Sequence, residues 1–577
     1  MKSSTKKSRT AAHRPAVRRR RFRHDDHTAV DLFSGFGGFT QAAKRAGFTT
    51  IMAANHNAYK VEVHEANHPD AEHWIADLVD PDAADYHSAR DLPAADLLLA
   101  GVSCVNHSQA NTQKAYQQSL SLFDLDDPDF EERVTRSERD RATANCVLHY
   151  AAQHHPRLIL IECTTELTSW GPAIPNKPKI GDGSTYRWWL KQFDLLNYDH
   201  RVLYLNSQFF GVPQSRDRLY IAFWDKSLPA PDLDHRPVSR CHHCDKDVEA
   251  VWTWKTGIPP TGSVRYGKQY EYRCPSCRTP VVPPMTPSLV ALDLSDLGIR
   301  IGDKPIKEFT DKKTGIVTRG PLAPATMARA ERCRQRFADF PAVLMPAKAV
   351  HGSERHPWQP MSTQTSQQET SILSTGPLVQ SLWNQDPATG LATPIAIAVD
   401  NYQGTPRGAG EPLPTQVGSE TLAVVSSGVV PYRQNTVPTI HSEAMPTFTS
   451  DQIPGLLTAA SWYKQNGSTG NETAPHPLTD PLGTITAHDT TALLMAQWRA
   501  ALRDLPLEDC YFRMMRAYEV GRGCGFDVDF PGHEGTFIVW GSARNQVDGF
   551  GNAVSEQVGD WLASQLRATL HTARDAA

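Results

Sequence analysis

The sequence predicts an α/β protein: a doubly wound sheet domain joined to a large, mostly β region. Three observations predict it. From His27 to about Trp224, short apolar runs alternate with helical patterns. After Trp224, Pro, Thr, Gly and Ser become frequent and long helical patterns nearly stop. From about Leu505 to Leu570, helical patterns return. Alternating strand and helix signals argue for a mainly parallel sheet covered on both faces. A chain of 577 residues exceeds what one core serves, so two or three domains are expected. Apolar content of 40% and charged content of 21% fit a folded globular protein. No apolar run is long enough for a membrane span, and no signal-peptide core follows the basic start. A cytoplasmic protein without a membrane partner is expected.

Residues 1–27 form a basic tail. Residues 1–23 hold ten Lys or Arg and no acid, whereas the whole chain carries net charge −4. Such a tail is either a solvated leader or an arm that binds phosphates without sequence preference. The remainder is acidic, so any nucleic-acid cleft must be a local basic feature.

Residues 28–226 form the sheet domain. Strands are expected at Ala29–Phe33, Thr50–Ala54, Asp96–Ala100, Leu158–Ile161, Val202–Leu205 and Leu219–Phe223. Helices are expected at Gln41–Ala46, Arg141–Ala152 and Tyr186–Leu196. In such sheets ligands sit beyond the carboxyl ends of the strands. Two strand ends carry chemistry there. Asp31-Leu-Phe-Ser-Gly-Phe-Gly-Gly38 is a glycine turn that lacks both the dinucleotide spacing and the Gly-Lys-Ser of a P-loop. Ala100-Gly-Val-Ser-Cys104 presents one thiol, which is either a core cysteine or a nucleophile. Glu162 ends another strand, as a cap or as a positioned acid. Arg216 and Arg218 alternate onto one side of Gln214-Ser-Arg-Asp-Arg218, suiting a planar polar edge, a phosphate or an ion-pair ladder. The charge-dense stretch 122–140 reads as a solvated loop or as a lid.

Residues 227–504 form the mostly β region. Cys241-His-His-Cys244 and Cys274-Pro-Ser-Cys277 are two CxxC pairs separated by 29 residues. This spacing signals a closed structural zinc site with Cys241, Cys244, Cys274 and Cys277 as ligands. His242 and His243 are bystanders or substitute ligands. Strands at Val251–Trp254 and Tyr270–Arg273 would make a zinc ribbon over about 238–283. A helix is expected at Ala325–Phe337. Over about 345–495, frames beginning at Pro360, Pro412, Ala444 and Pro481 share a Thr at the fourth place and lead to short apolar runs. We read a duplicated strand–loop–strand unit, either scaffold or a presenter of loops to a long substrate. Residues 505–577 carry Gly551-Asn-Ala-Val554 and an amphipathic helix at Ser555–Leu570.

Taken in order, these segments resemble the DNA cytosine-5 methyltransferases. Asp31–Phe39 resembles that family's S-adenosylmethionine-binding motif, and Asp96–Ser108 its catalytic cysteine motif. Glu162-Cys-Thr164 stands where the family has Glu-Asn-Val. Gln214-Ser-Arg-Asp-Arg218 matches Gln-x-Arg-x-Arg without change, and Gly551–Val554 matches the final motif. The resemblance implies a Rossmann-like domain that binds S-adenosylmethionine in residues 28–226, completed by 505–577, with 227–504 as the target-recognition domain. It implies Cys104, Glu162, Arg216 and Arg218 as catalytic residues. It implies cofactor contacts from Asp31, Phe33, Gly35, Phe36, Gly38, Asn55, His56, Asp77, Leu78, Gly101, Asn552 and Val554. The implied substrate is duplex DNA whose target cytosine is flipped out, with RNA as the rival substrate and a non-catalytic DNA-binding relative as the rival role. A monomer is expected, with a cognate restriction endonuclease as a candidate partner. The chain departs from the pattern at Val102-Ser-Cys-Val105, where the family has Pro-Pro-Cys-Gln. It departs again at Cys163 and at Asn55, where the family places Asn and an acidic residue. The lost proline leaves the turn before the thiol less pre-set.

Overall fold

The computed structural model describes residues 26–575 except 81, 103–142, 175–176, 256, 258–261, 294–295, 312–314, 339, 348–352 and most of 377–501, where only short strands are described. Cys104, the tail at 1–23 and the stretch 122–140 therefore lie outside the described residues.

Seven strands form the central sheet: β1 (Thr28–Leu32), β2 (Thr49–Asn55), β3 (Glu72–Ile75), β4 (Leu97–Gly101), β5 (Leu158–Cys163), β6 (Tyr198–Asn206) and β7 (Asp217–Asp225). Their spatial order is β3-β2-β1-β4-β5-β7-β6. Strands β1 to β5 pair in parallel, and β7 runs antiparallel to both neighbours. The six expected strands are present, and β3 is an addition. The strand order reverses between β1 and β4, which is where a doubly wound sheet opens its ligand crevice.

Alternation along the buried strands feeds two layers. Val30, Leu32, Leu98, Ala100, Ile159 and Ile161 face a core shared with Val147, Tyr150, Trp189 and Phe193. Ala29, Leu97, Leu99, Leu158 and Leu160 face the other core. The first layer is covered by a helix over residues 143–154 and by α3 (Ser184–Leu195). The second is covered by α1 (Gly38–Arg45) and by a C-terminal helix, Glu556–Asp575. Leu562, Leu566 and Leu570 of that helix are fully buried. Each contributes about 1.5–3 kcal/mol by leaving water. Helix α2 (Ala58–Asn67) lies against the C-terminal segment through Tyr59 and Val63.

Beyond β7, strands Val238–Cys241 and Lys246–Glu249 form one hairpin. Val251–Trp254, Tyr270–Arg273 and Pro280–Val281 form a three-stranded sheet. A further sheet has the order Ile299–Arg300, Tyr511–Met514, Thr370–Ser374, Ala342–Pro346. Tyr511–Met514, assigned from sequence to the segment completing the first domain, thus pairs with strands of the middle region. Its Arg513 meets the fully buried Glu519 at 2.6 Å and also donates to the Asp293 carbonyl, which fixes the strand in place. The helix expected at Ala325–Phe337 is observed over Pro324–Arg336 and buries Ala330 and Cys333. The repeat's apolar runs fall in strands Thr370–Ser374, Leu422–Val425, Gly455–Leu456 and Thr491–Leu494. No helix among the described residues is long and apolar enough to cross a membrane.

Candidate active site and four-cysteine cluster

The turn after β1 is built from unusual backbone. Phe33, Gly35 and Gly37 all have positive φ, 60°, 55° and 85°. A non-glycine at positive φ costs of order 1 kcal/mol and marks a place where conformation serves a ligand or a contact. Gly37 answers to space as well, since a Cβ there would stand 2.5 Å from His68 Nε2. A Cβ at Gly38 would stand 2.2 Å from the Val554 carbonyl oxygen. The Gly551–Val554 segment therefore rests directly on the start of α1. At Gly35 the nearest atom to such a Cβ is 3.9 Å away, so the crevice at the end of β1 is open there.

Asp31 is buried beneath this turn. The Thr40 hydroxyl donates to Asp31 Oδ2 at 2.7 Å, while Oδ1 has no partner among the described residues. Burial raises the Asp31 pKa to about 7, against the opposing effect of Thr40. Thr40 is also 3.1 Å from His64 Nε2, and His64 Nδ1 is 2.7 Å from His73 Nε2. With Thr40 donating to Asp31, His64 Nε2–H donates to Thr40, and His64 Nδ1 accepts from His73. Burial lowers the pKa of His64 well below its ordinary value, so it stays neutral in this chain. The sequence reading missed Thr40, His64 and His73, because nothing in their spacing signals that they meet behind Asp31.

The other expected cofactor residues share the same sheet edge but differ in what they do. Asn55 Oδ1 accepts from Asn57 N at 3.0 Å, and His56 is exposed. Asp77 Oδ1 accepts from Val79 N and Asp80 N, shaping its own turn. Leu78 is buried, and its carbonyl accepts from the Cys146 thiol. Gly101 faces Val554 at 3.6 Å from the place of a Cβ. Asn552 is exposed and donates to Asp548. Phe36 is fully buried, edge-on to Phe550 at 5.2 Å and close to Tyr59 and Phe537. Phe537 and Phe550 come from the C-terminal segment and Tyr59 from α2, so the ring joins the two parts of the chain. The turn at Gly35, roomy among the described residues, and the polar residues Asn55 at the end of β2 and Asp77 after β3 fit a ligand such as S-adenosylmethionine. They do not fit a phosphate cradle.

Glu162 sits at the end of β5 in register with Gly101 of β4 and with Tyr220 of β7. The amide of Val102 donates to its carbonyl at 3.0 Å. The chain leading to Cys104 is therefore anchored beside Glu162 at Val102, two residues before that thiol in sequence. Arg218 Nε lies 2.8 Å from Glu162 Oε1 in a largely buried ion pair. Arg216, expected on the same side, spends its guanidinium elsewhere. It donates to the carbonyls of Gly551 (2.8 Å), Gln364 (3.2 Å) and Ala553 (3.2 Å), tying three distant segments together. Between them, Asp217 Oδ1 accepts from Tyr266 N and from the Tyr270 hydroxyl, both at 3.0 Å. Burial raises the Asp217 pKa. Sequence reasoning passed over Asp217, although it lies inside the motif that was singled out.

The four cysteines converge. The sulfurs of Cys241, Cys244, Cys274 and Cys277 all lie within 4.8 Å of one another. Cys241–Cys277 and Cys244–Cys274 are 3.5 and 3.8 Å apart. A tetrahedral ion with metal–sulfur bonds of about 2.3 Å requires sulfurs about 3.8 Å apart, so the donor set fits zinc. His242 and His243 are exposed and stand outside the cluster.

Known proteins resemble this chain over part of its length. Residues 27–123 and 176–250 match the family model described as C-5 cytosine-specific DNA methylase. The type II methyltransferase M.NgoBI of Neisseria gonorrhoeae is 24% identical over 227 residues, covering 39% of this chain and 60% of that protein. M.BanI of Aneurinibacillus aneurinilyticus is 29% identical over 198 residues, 33% of this chain and 37% of that protein. M.HhaI of Haemophilus parahaemolyticus is 22% identical over 199 residues, 34% of this chain and 49% of that protein. The matched stretches thus span less than two thirds of each relative.

Proposed function

From the premise that this chain carries a C-5 cytosine-specific DNA methylase domain, we propose that it transfers a methyl group to C5 of cytosine in duplex DNA. The observation that carries the reading is the Glu162–Arg218 pair, buried beside the strand end from which the Cys104 segment departs. S-adenosylmethionine supplies the electrophilic methyl group when bound. Phe33, Gly35, Asn55, Asp77, Gly101 and Val554 would line its site, with Asp31 and Gly38 shaping the turn. Phe36 would support that wall from behind.

The target base leaves the duplex, at a cost of a few kcal/mol. The Cys104 thiolate attacks C6, and a C–S bond forms while charge moves toward C5 and N3. Glu162, held in orientation by Arg218, meets the N3 edge as a carboxylic acid and gives its proton to N3 as the charge arrives. Once C5 is methylated, solvent water takes its proton, the C5–H electron pair expels the Cys104 thiolate from C6, and N3 returns its proton to Glu162. Arg216 acts at a distance, fixing Gly551–Ala553 against the sheet. Residues 227–504 would read the DNA sequence, braced by a zinc ribbon at the four cysteines.

The test uses labelled S-adenosylmethionine with mixed duplex DNA, and in parallel tRNA. Label at cytosine C5 of DNA is expected, with Cys104→Ala reduced at least 10³-fold. A covalent adduct on 5-fluorocytosine DNA is expected for the parent alone. Label on tRNA but not on DNA, or a parent no different from Cys104→Ala, sinks the reading.

A further inference from the structure

We infer that the four-cysteine region braces the Glu162–Arg218 pair: the loop between Trp254 and Tyr270 holds both chain segments that carry it, with Thr165 and Asp217 as positioning residues. What the pair does rests on the methyl-transfer reading, but what holds it rests on geometry alone.

The first segment follows Glu162 directly. A short turn, Thr165–Ser169, comes two residues after β5 ends. Val264 N donates to Thr165 Oγ1 at 3.1 Å, and Gly262 N donates to Ser169 Oγ at 2.8 Å. Ser263 donates its hydroxyl to the Glu166 carboxylate. Three consecutive residues of one loop thus grip one turn. The second segment is Arg216–Arg218. Tyr266 N and the Tyr270 hydroxyl both donate to Asp217 Oδ1. The Asp217 carbonyl in turn accepts from Arg218 Nη1 at 2.9 Å. Asp217 is the joint: its side chain belongs to the loop and its backbone to the arginine that orients Glu162.

Hydrogen bonds within the loop, such as Lys255 N to the Gln269 carbonyl and Gln269 N to the Arg265 carbonyl, close its base, and burial anchors it to its surroundings. Val264, Tyr270 and Tyr272 are almost fully buried in one cluster with Cys241, Cys274 and Phe209. Phe209 belongs to the first domain, and it meets Tyr266 at 4.6 Å and Tyr272 at 5.2 Å. Trp252 Nε1 donates to the Tyr204 carbonyl of β6. A metal joining the four sulfurs would fix the strands from which the loop springs, and hence the position of Arg218. A region serving DNA contact alone would have no reason to bury these donors against the turn after Glu162.

The test compares full-length protein loaded with zinc and stripped by a chelator, using hydrogen exchange read by mass spectrometry. On stripping, exchange at 164–169 and 214–218 is expected to rise about tenfold or more, with 28–32 and 97–101 unchanged. A rise confined to 238–281, or an equal rise at 28–32 and 97–101, overturns the brace. Tyr270→Phe removes one hydroxyl and little else. With zinc retained, its kcat is expected to fall about tenfold while KM for S-adenosylmethionine stays within about twofold. Asp217→Ala should fall further, and Asp217→Asn, which keeps an acceptor oxygen, should recover most of that loss. A raised KM with unchanged kcat overturns the inference. If the parent transfers no methyl group, the proposed function fails, and the exchange measurement still decides the brace.

Discussion

In the sheet domain, two layers of buried side chains cover the faces of seven strands. Around the four cysteines, one cluster of nine buried residues must suffice, two of them cysteines and one, Phe209, borrowed from the neighbouring domain. The difference teaches where each region gets its order. Burial alone can hold the sheet, whose polar centre at Asp31 is a tolerated cost. The cysteine region holds less apolar area among the described residues, so its hydrogen bonds to the sheet domain carry more of its order, and a metal at the four sulfurs would add to them.

Metal removal is the largest expected effect and the most direct way to break that comparison. Structural zinc supplies on the order of 10 kcal/mol or more toward folding a region of this kind. A chelator should unfold residues 238–281 while the sheet retains its own thermal transition, seen as two separate steps by calorimetry. One shared transition, unmoved by the chelator, would show that the region needs no metal. Next comes the ion pair. Removing one partner of a buried pair typically costs about 3–5 kcal/mol, because the other charge is left without compensation. Arg218→Ala should therefore lower stability by that amount and methyl transfer with it. Glu162→Gln/Arg218→Met, which removes both charges, should regain most of the stability and none of the activity.

A third effect is a pH dependence seated in the sheet. Asp31 titrates near 3.8 when unfolded and at about 7 when folded. Its folded state therefore holds a proton more tightly than the unfolded state. Stability from this group is full below about pH 4, falls as pH rises toward 7, and is constant above. A shift of this size corresponds to an upper limit of about 4 kcal/mol. Asp31→Asn should flatten the fall between pH 4 and 7 in denaturant titrations. A slope equal to the parent's would show that the carboxylate finds a partner when charged, and that the sheet bears no such cost.

Much of this architecture could be read from residue order, and what could not has physical causes. Buried strands β1, β4 and β5 announce themselves as apolar runs, and the strand Tyr270–Arg273 was expected between the two CxxC pairs. Strand β3 was missed because Glu72-His-Trp-Ile75 lies at the sheet edge with no residue buried. Helix α2 was missed because its apolar face is weak, Ala58-Tyr-Lys-Val-Glu-Val carrying charge on every side. Tyr511–Met514 looked helical, but its partner strand Thr370–Ser374 lies far off in sequence and overrides local propensity. In the site, the identities of Glu162, Arg216 and Arg218 were visible while their divergence was not. Which arginine meets Glu162 is set by the antiparallel register of β7 on β5. The burial of Phe36 was hidden for the same reason, since its partners Phe537 and Phe550 stand about five hundred residues away.

The smallest expected effect sharpens the comparison from the sheet side. Arg45 Nε meets Glu556 Oε1 at 2.6 Å where α1 crosses the C-terminal helix, and the arginine side chain is 53% exposed. Burial raises the Glu556 pKa even so, which means desolvation outweighs the attraction of Arg45. An exposed partner is screened by water and loses side-chain freedom on pairing, so such bridges contribute about 0–1 kcal/mol. The same seam packs Ala42 and Phe39 against Gly559, where an added Cβ would stand 2.9 Å from the Ala42 methyl. It also buries Leu562 completely. Arg45→Ala should therefore cost less than about 1 kcal/mol, whereas Leu562→Ala should cost about 2–5 kcal/mol through the cavity it leaves. Urea titration of the two variants measures the ratio. If Arg45→Ala cost as much as Leu562→Ala, charge rather than burial would fasten the helix that carries Val554 back to the cofactor crevice, and the sheet domain would depend on specific polar ties as heavily as the cysteine region does.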